Sequence, residues 1–437
     1  VVRTDWIRRG SGKERALRAT AERSDGLRRV RRPATDTTPA FDLAYLRTGP
    51  RGATPLVIIP GGPGLASAIP YRRIRSRAAR AGHDVIMVEH RGVGLSRTGA
   101  SGTDLPRSAM RVTEVVDDIA AVLDHEGVDR AHIYGSSYGT YLAEGVGVRH
   151  PERVAGMILD STLLSAQDHL VQRAHSRRLL WDGDDPHTAE VAAALREVVE
   201  SGADLVEACG IAEILYEFGG TGLLLTMLRR HLAGTDRFTW NALSRTVGAE
   251  MAIDSRVPYT MEVDPVGEIA FRELNFAPEP DGGPFDSSAA FADSASHFSP
   301  FSGEPFDLSI ELPRFTWPTA IIAGRRDLRT PPPIAELAAS LIPDATLVSI
   351  DNGHSALDTH HAAALHVIDR LQAGRTAELA DEGPMIDAMS PGAGPNRWIS
   401  LAVETALVGD YLGDRVLHPR LPRLGLPRFG GRSTPAS

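Results

Sequence analysis

Three residue types at three separated turns could together perform covalent catalysis: a serine, a histidine and an aspartate. The serine lies in Gly135-Ser136-Ser137-Tyr138-Gly139, directly after the apolar stretch Ala131-His132-Ile133-Tyr134. A G-x-S-x-G between an expected strand and an expected helix describes a strand-to-helix turn so tight that its central residue is held in strained backbone geometry. Ser137 is therefore the candidate nucleophile. A neutral hydroxyl is a poor nucleophile until a base takes its proton, and an imidazole does so near neutral pH. His354, in Asp351-Asn352-Gly353-His354, is the candidate base, and Asp327, in Gly324-Arg325-Arg326-Asp327, is the candidate acid that would orient it.

An oxyanion forming on an attacked carbonyl needs donors. Pro60-Gly61-Gly62-Pro63-Gly64 follows the apolar run 55–60 and offers backbone N–H groups that can approach another group closely. The N–H of Gly62 and that of Tyr138, just past the nucleophile, are the expected donors. Rivals exist for several roles. Asp160 also ends an apolar strand and could serve as the acid, although Asp327 is the assigned one. His90, His360, His361 and His366 read as packed or surface histidines. Ser136 would point away from an apex at Ser137, and Ser96 lacks the second glycine of the motif. Arg91 reads as a tether for loop carbonyls.

The continuous apolar run 55–60 reads as a strand buried on both faces of a parallel sheet, 84–89 as the next buried strand, and 131–134, 154–159, 318–323 and 345–350 as further strands of that sheet. Residues 27–33 and 41–47 read as an antiparallel hairpin ahead of them. Helical patterns at 113–126, 138–148 and 333–341 alternate with the strands, which implies right-handed crossovers. Both the Asp327 and His354 turns fall at carboxyl ends of strands, where open α/β sheets bind ligands. From 162 to 312 the alternation stops, and patterns at 172–180, 188–199, 205–218 and 222–232 indicate a mostly helical cap. The expected organisation is an arm at 1–26, a catalytic domain at 27–161 and 313–372, the cap at 162–312, and an extension at 373–437. The arm shows no sustained period, the extension carries one expected helix at 398–408, and its last residues are basic and Pro-rich.

Of the 437 residues 42% are hydrophobic and 24% charged, as in globular proteins, and the net charge of −9 provides no electrostatic footprint for nucleic acid. The single cysteine, Cys209, excludes an internal disulfide and reads as a packed small residue. No run approaches the ~18 apolar residues of a membrane span, and no secretory leader is visible. A cytoplasmic location is expected, or a secreted one if a leader was removed before Val1. No Cys/His metal spacing and no phosphate-binding loop occur, so neither metal nor cofactor is expected. The expected partner is a small peptide or small molecule, with neither nucleic acid nor membrane; the oligomeric state is left open.

The order Ser137, Asp327, His354 is that of α/β-hydrolases. Together with Glu89-His-Arg-Gly-Val-Gly-Leu-Ser96, Gly135-Ser-Ser-Tyr-Gly-Thr140, Asp327-Leu-Arg-Thr-Pro331 and Gly353-His354, the Pro60–Gly64 loop resembles the signature turns of proline iminopeptidase and tripeptidyl aminopeptidase-type α/β-hydrolases. The resemblance covers the sheet domain, roughly 40–161 and 313–370. It implies an α/β-hydrolase fold with an inserted cap and an acyl-enzyme mechanism that removes residues from peptide N-termini. Such enzymes hold the substrate ammonium with cap carboxylates. Glu250, Asp254, Glu262 and Asp264 lie in one stretch that could do so, although a solvated acidic face is the preferred reading. Pro60 stands where the family usually has His, and Glu89-His90 where it has Asp-Gln. An esterase, lactonase or acyltransferase on a small metabolite uses the same machinery and is the alternative; a catalytically silent receptor of the same fold is the third reading.

Overall fold

The computed structural model describes residues 10–250 and 256–390. Its strands are β1 (Leu27–Arg32), β2 (Phe41–Thr48), β3 (Leu56–Ile59), β4 (Val85–Val88), β5 (Ala131–Ser136), β6 (Val154–Asp160), β7 (Arg256–Val257), β8 (Met261–Glu262), β9 (Thr319–Gly324) and β10 (Ala345–Ile350). Among the described residues, eight of these form one sheet in the order β1-β2-β4-β3-β5-β6-β9-β10, and β7 and β8 form a separate hairpin. β1, β2 and β4 pair antiparallel. From β4 through β3, β5, β6 and β9 to β10 every pairing is parallel. This is the α/β-hydrolase architecture.

The apolar runs are continuous because both sheet faces are covered. Val57, Ile59, Ile133, Met157, Leu159 and Ile321 pack in one core with the helices Val112–His125, Tyr138–Arg149 and Pro332–Leu341. Their neighbours Leu56, Ile58, Tyr134, Ile158, Ala320 and Ile322 pack on the opposite face with Arg72–Ala81 and His361–Gln372. Alternate residues of one strand thus enter different cores, as the period of two requires.

Between β6 and β9 the described chain is mostly helical, with a core of its own built on Ala189–Glu200 and the long helix Leu205–Leu232. The two expected helices at 205–218 and 222–232 are the two halves of Leu205–Leu232, separated by the non-helical Gly220 (φ 67°, ψ −168°). Contrary to the expectation from apolar runs, the helix is long and apolar enough by composition to cross a membrane. Its most apolar 18-residue window has mean hydropathy 1.3, and 56% of that window is buried within the protein. Packing against neighbouring helices accounts for an apolar helix of this kind.

The N-terminal segment departs from its expected irregularity. Gly12–Glu22 is a helix capped by Ser11, whose hydroxyl accepts the Glu14 N–H at 3.2 Å. The apolar face is a narrow stripe that buries Ala21, too narrow to register as a period. Glu14 holds Arg256 at 2.6 Å, docking this helix on the β7–β8 hairpin. The expected arm before residue 10, the carboxylate Asp254, the helix at 398–408 and the basic end lie outside the described residues, as does the Glu250 side chain.

The elbow glycines have no alternative. A Cβ on Gly135 would sit 2.2 Å from the Gly139 carbonyl oxygen, and one on Gly139 would sit 2.2 Å from that of Ile59. Gly139→Ala must therefore push the helix Tyr138–Arg149 off β3, at a cost of about 3 kcal/mol. Urea unfolding checks this, and a midpoint equal to wild type would contradict the close approach.

Candidate active site

The turn after β5 places Ser137 at φ 54° and ψ −126°, a conformation L-residues rarely adopt. Its N–H is held by the Asp160 carbonyl at 2.8 Å. The Ser137 hydroxyl is 2.8 Å from His354 Nε2, and His354 Nδ1 is 3.0 Å from Asp327 Oδ2 and 3.1 Å from Oδ1. Residues 217 positions apart in sequence thus form one hydrogen-bonded relay.

Asp327 is 1% exposed. The Arg329 and Thr330 N–H groups each donate to Oδ1 at 2.9 Å, and the Thr330 hydroxyl donates to Oδ2 at 3.0 Å. Burial pushes this carboxyl up, but the His354 charge, the His354 and Thr330 hydrogen bonds and the Ser161 hydroxyl outweigh it and hold it below the usual range. The opposite balance applies at His354. Burial and Arg329 pull its imidazole down, while Asp327, with a smaller contribution from Glu217, raises it above the ordinary value. The proton on Nδ1 then faces the carboxylate, leaving Nε2 as the acceptor for the serine proton.

Asp160, the rival acid, lies elsewhere. Its oxygens accept the Ala356 N–H at 2.9 Å, the Leu357 N–H at 2.8 Å and the Tyr134 hydroxyl at 2.8 Å. Burial, opposed by those hydrogen bonds, raises its pKa to about 6. It anchors the loop that carries His354 and makes no bond to the imidazole. Ser161 links the two acids' surroundings, since its hydroxyl accepts the Ser355 N–H at 2.8 Å and hydrogen-bonds Asp327. The Ser136 hydroxyl is spent on Ser355 at 2.7 Å, and the Ser96 hydroxyl on the Ala44 N–H at 2.9 Å.

The Pro60–Gly64 loop abuts the elbow: a Cβ on Gly61 would lie 3.0 Å from Ser137 Cβ and 3.6 Å from its hydroxyl. Gly62 follows at φ 118°. Tyr138 is the first residue of its helix, so its N–H belongs to the group with no partner inside the helix. His90 backs this turn, with Nε2 3.1 Å from the Tyr138 hydroxyl, and burial pulls its pKa to about 4, so it is neutral and structural. Arg91 is 1% exposed and tethers Asp118, Glu114 and the Ala109 carbonyl. His360 caps its own helix at Ala363, His361 approaches Arg77, and His366 holds Glu382. None of them reaches the relay. Among the described residues no group of three or more His, Cys, Asp or Glu side chains could hold a metal ion.

Of the cap carboxylates considered for an ammonium, Glu262 and Asp264 are already engaged. Glu262 is 1% exposed and accepts the Gly94 N–H and Arg256, and Asp264 holds Arg97 at 2.8 Å. They are buried or half-buried ion-pair partners, not a solvated acidic face. A cap carboxylate that reaches the acid turn is Glu217, whose Oε1 accepts the Leu328 N–H at 3.1 Å. In the sequence it is one glutamate in an apolar helix. Its signal is its place just before Gly219-Gly220, where the helix breaks. Thr330 and Ser161 were also legible only as turn residues.

Because only neutral His354 accepts the serine proton, activity must fall as pH drops through its raised pKa. The acid limb of kcat/KM is expected above the ordinary histidine value of about 6.5. Asp327→Asn is expected to lower kcat by about 10⁴ and to move that limb down, because the amide neither fixes the tautomer nor supplies the charge. Steady-state rates from pH 5 to 9 on both proteins check this.

Residues 54–193 match the α/β-hydrolase fold family. Over 188 residues the chain is 30% identical to an Azorhizobium caulinodans protein named as a carbamate hydrolase, covering 42% of this chain and 66% of that protein. Over 303 residues it is 30% identical to the rhodomycin D methylesterase DauP of a Streptomyces strain, covering 69% of this chain and 85% of the relative. A Streptomyces coelicolor protein named as a proline iminopeptidase is 27% identical over 157 residues, or 34% of this chain and 48% of that one. The chain thus spans just under two thirds of the first relative and about half of the third. With an eight-stranded, mostly parallel sheet and a methylesterase matched over most of its length, this chain belongs to the α/β-hydrolase family.

Proposed function

We propose that the protein is a serine hydrolase working through an acyl-enzyme on Ser137, with N-terminal residues of short peptides or peptide-like amides as its substrates. The observation that carries the reaction type is the relay in which the Ser137 hydroxyl lies 2.8 Å from His354 Nε2 and His354 Nδ1 lies 3.0 Å from Asp327 Oδ2. The Ser137 hydroxyl attacks the carbonyl carbon while His354 Nε2 takes its proton. The resulting oxyanion is met by the N–H groups of Gly62 and Tyr138. Collapse breaks the carbon–nitrogen bond, and His354 gives its proton to the leaving amine. A water, deprotonated by the same nitrogen, then attacks the acyl-serine and releases the acid.

The peptide class is supported by the Pro60–Gly64, Glu89–Ser96 and Asp327–Pro331 turns and by the iminopeptidase similarity. A second reading, a small-molecule ester, is favoured by two observations. The methylesterase relative is matched over 85% of its length. In addition, Glu262 and Asp264 are committed to Arg256 and Arg97, so neither is an open anion for a substrate ammonium. The complete relay counts against a silent receptor.

A fluorophosphonate probe is expected to label wild type and not Ser137→Ala; an unlabelled, folded wild type would sink the enzyme reading. For the substrate, kcat/KM on aminoacyl and tripeptidyl anilides is compared with that on p-nitrophenyl esters. N-acetylation of a cleaved peptide is expected to abolish turnover. Equal cleavage of free and blocked peptides rejects the aminopeptidase, and turnover of esters alone selects the second reading.

A further inference from the structure

The helix Leu205–Leu232 breaks at Gly220, and the half before the break ends against the two turns that carry Asp327 and His354. Glu217 makes those contacts and is 2% exposed. Its Oε1 accepts the Leu328 N–H at 3.1 Å, and Arg329 Nε lies 3.3 Å from its Oε2. Its main-chain oxygen accepts from Arg326 Nε at 3.3 Å. On the other side Gly353, the residue before His354, passes so close that a Cβ there would lie 2.8 Å from the Glu217 carbonyl oxygen. Leu328, next to Asp327, is fully buried, and its side chain belongs to the hydrophobic core of the cap. The acid turn is thus held between the cap's core and a cap carboxylate.

We propose that Glu217 is a positioning residue of the hydrolytic reaction: a carboxylate carried by the cap that fixes the acid turn through the Leu328 N–H and keeps negative charge beside the Asp327–His354 pair. The proposal rests on the serine-hydrolase reading above. A glutamine would satisfy the Leu328 N–H equally well, so a buried carboxylate at this place is costly unless its charge is used. That charge is paired with Arg329 and also stands near His354. An anion near the imidazole favours the imidazolium that forms as the serine proton is transferred, and Asp327 alone has its charge partly spread over Thr330 and Ser161.

The charged and titratable groups around this carboxylate are Arg326, Asp327 and Arg329 from the acid turn and His354 from the histidine turn, while His175 of the cap helix Asp168–Arg177 faces Asp327. Burial, reinforced by Asp327, raises the Glu217 carboxyl above its usual range, and Arg329, His354 and the Leu328 N–H oppose that rise without cancelling it. Its partners thus keep a cation on one side and an ionisable imidazole on the other.

The test uses the full chain and Glu217→Gln, which keeps the acceptor and removes the charge. The expected result is a kcat lowered on the order of tenfold at unchanged KM, with the acid limb of kcat/KM and the His354 ring titration by NMR both moved down by about one pH unit. Arg329→Gln, at a side chain 45% exposed, removes the opposing cation and is expected to move the same titration up. Glu217→Leu, which also orphans the Leu328 N–H, is expected to lower kcat further than Glu217→Gln. A Glu217→Gln protein with the wild-type kcat and the wild-type His354 titration overturns the proposal, as does an Arg329→Gln protein whose His354 titration stays put. Fluorophosphonate labelling of wild type separates the two levels. A labelled wild type with unaltered variants removes only the role of Glu217, whereas an unlabelled one removes the serine-hydrolase reading and this proposal with it.

Discussion

The contact between Gly139 and the Ile59 carbonyl is the constraint on which the site depends. With no Cβ at Gly139 or Gly135, the helix Tyr138–Arg149 runs directly over β3 and β5, and the chain has a single residue in which to turn. That residue is Ser137, and the strain of φ 54°, ψ −126° is of order 1–3 kcal/mol. Such a conformation survives only where its surroundings over-determine it. Here the parallel pairings of β3 with β5 and β5 with β6, together with the bond from the Ser137 N–H to the Asp160 carbonyl, do so. The strain directs the hydroxyl to His354 and leaves the Tyr138 N–H at the helix start.

Two aspartates at neighbouring strand ends show how environment divides roles between identical side chains. Asp160 and Asp327 are both 1% exposed. Asp160 meets two backbone N–H groups and a tyrosine hydroxyl, dipoles that do not cancel the cost of burying its charge, and its pKa rises. Asp327 meets the imidazole as well, and the gain from an ionisable partner outweighs burial, so its pKa falls. The first is thereby a brace for the His354 loop and the second its charge partner. Ser161 and Ser355 join them, so a displacement of either turn is felt by the other.

The sheet and the relay were legible because both depend on local rules. Apolar runs of four to six residues name the doubly covered strands, and Gly-rich turns at their carboxyl ends name the places where side chains meet. Supporting elements and residues follow other rules. The helix Gly12–Glu22 carries so few apolar residues that its capping by Ser11, and not its period, identifies it. Thr330 and Ser161 read as turn residues because their function is visible only once β9, β10 and β6 lie side by side. Glu262 and Asp264 read as surface acids because their partners, Arg97 and the Gly94 N–H, are more than 160 residues away in sequence. Glu217 was hidden for the converse reason: an apolar helix conceals the one acid that it buries.

Among the places where the cap meets the catalytic domain, two adjoin the site, and their chemistry differs. The β7–β8 hairpin is joined to the oxyanion loop by backbone alone, with the Glu262 N–H on the Gly64 carbonyl at 2.8 Å and the Ala66 N–H on the Thr260 carbonyl at 3.0 Å. The long cap helix meets the acid and histidine turns through a carboxylate and a buried leucine. One inserted segment therefore supports both the loop that would stabilise an oxyanion and the turn that orients the base. A shift of the cap as a body displaces both sets of groups, while a change confined to the hairpin reaches the Pro60–Gly64 loop and, through Glu262, the Gly94 turn. The kinked helix is the part of the cap that packs against the acid and histidine turns, and the role proposed above for Glu217 acts through that contact.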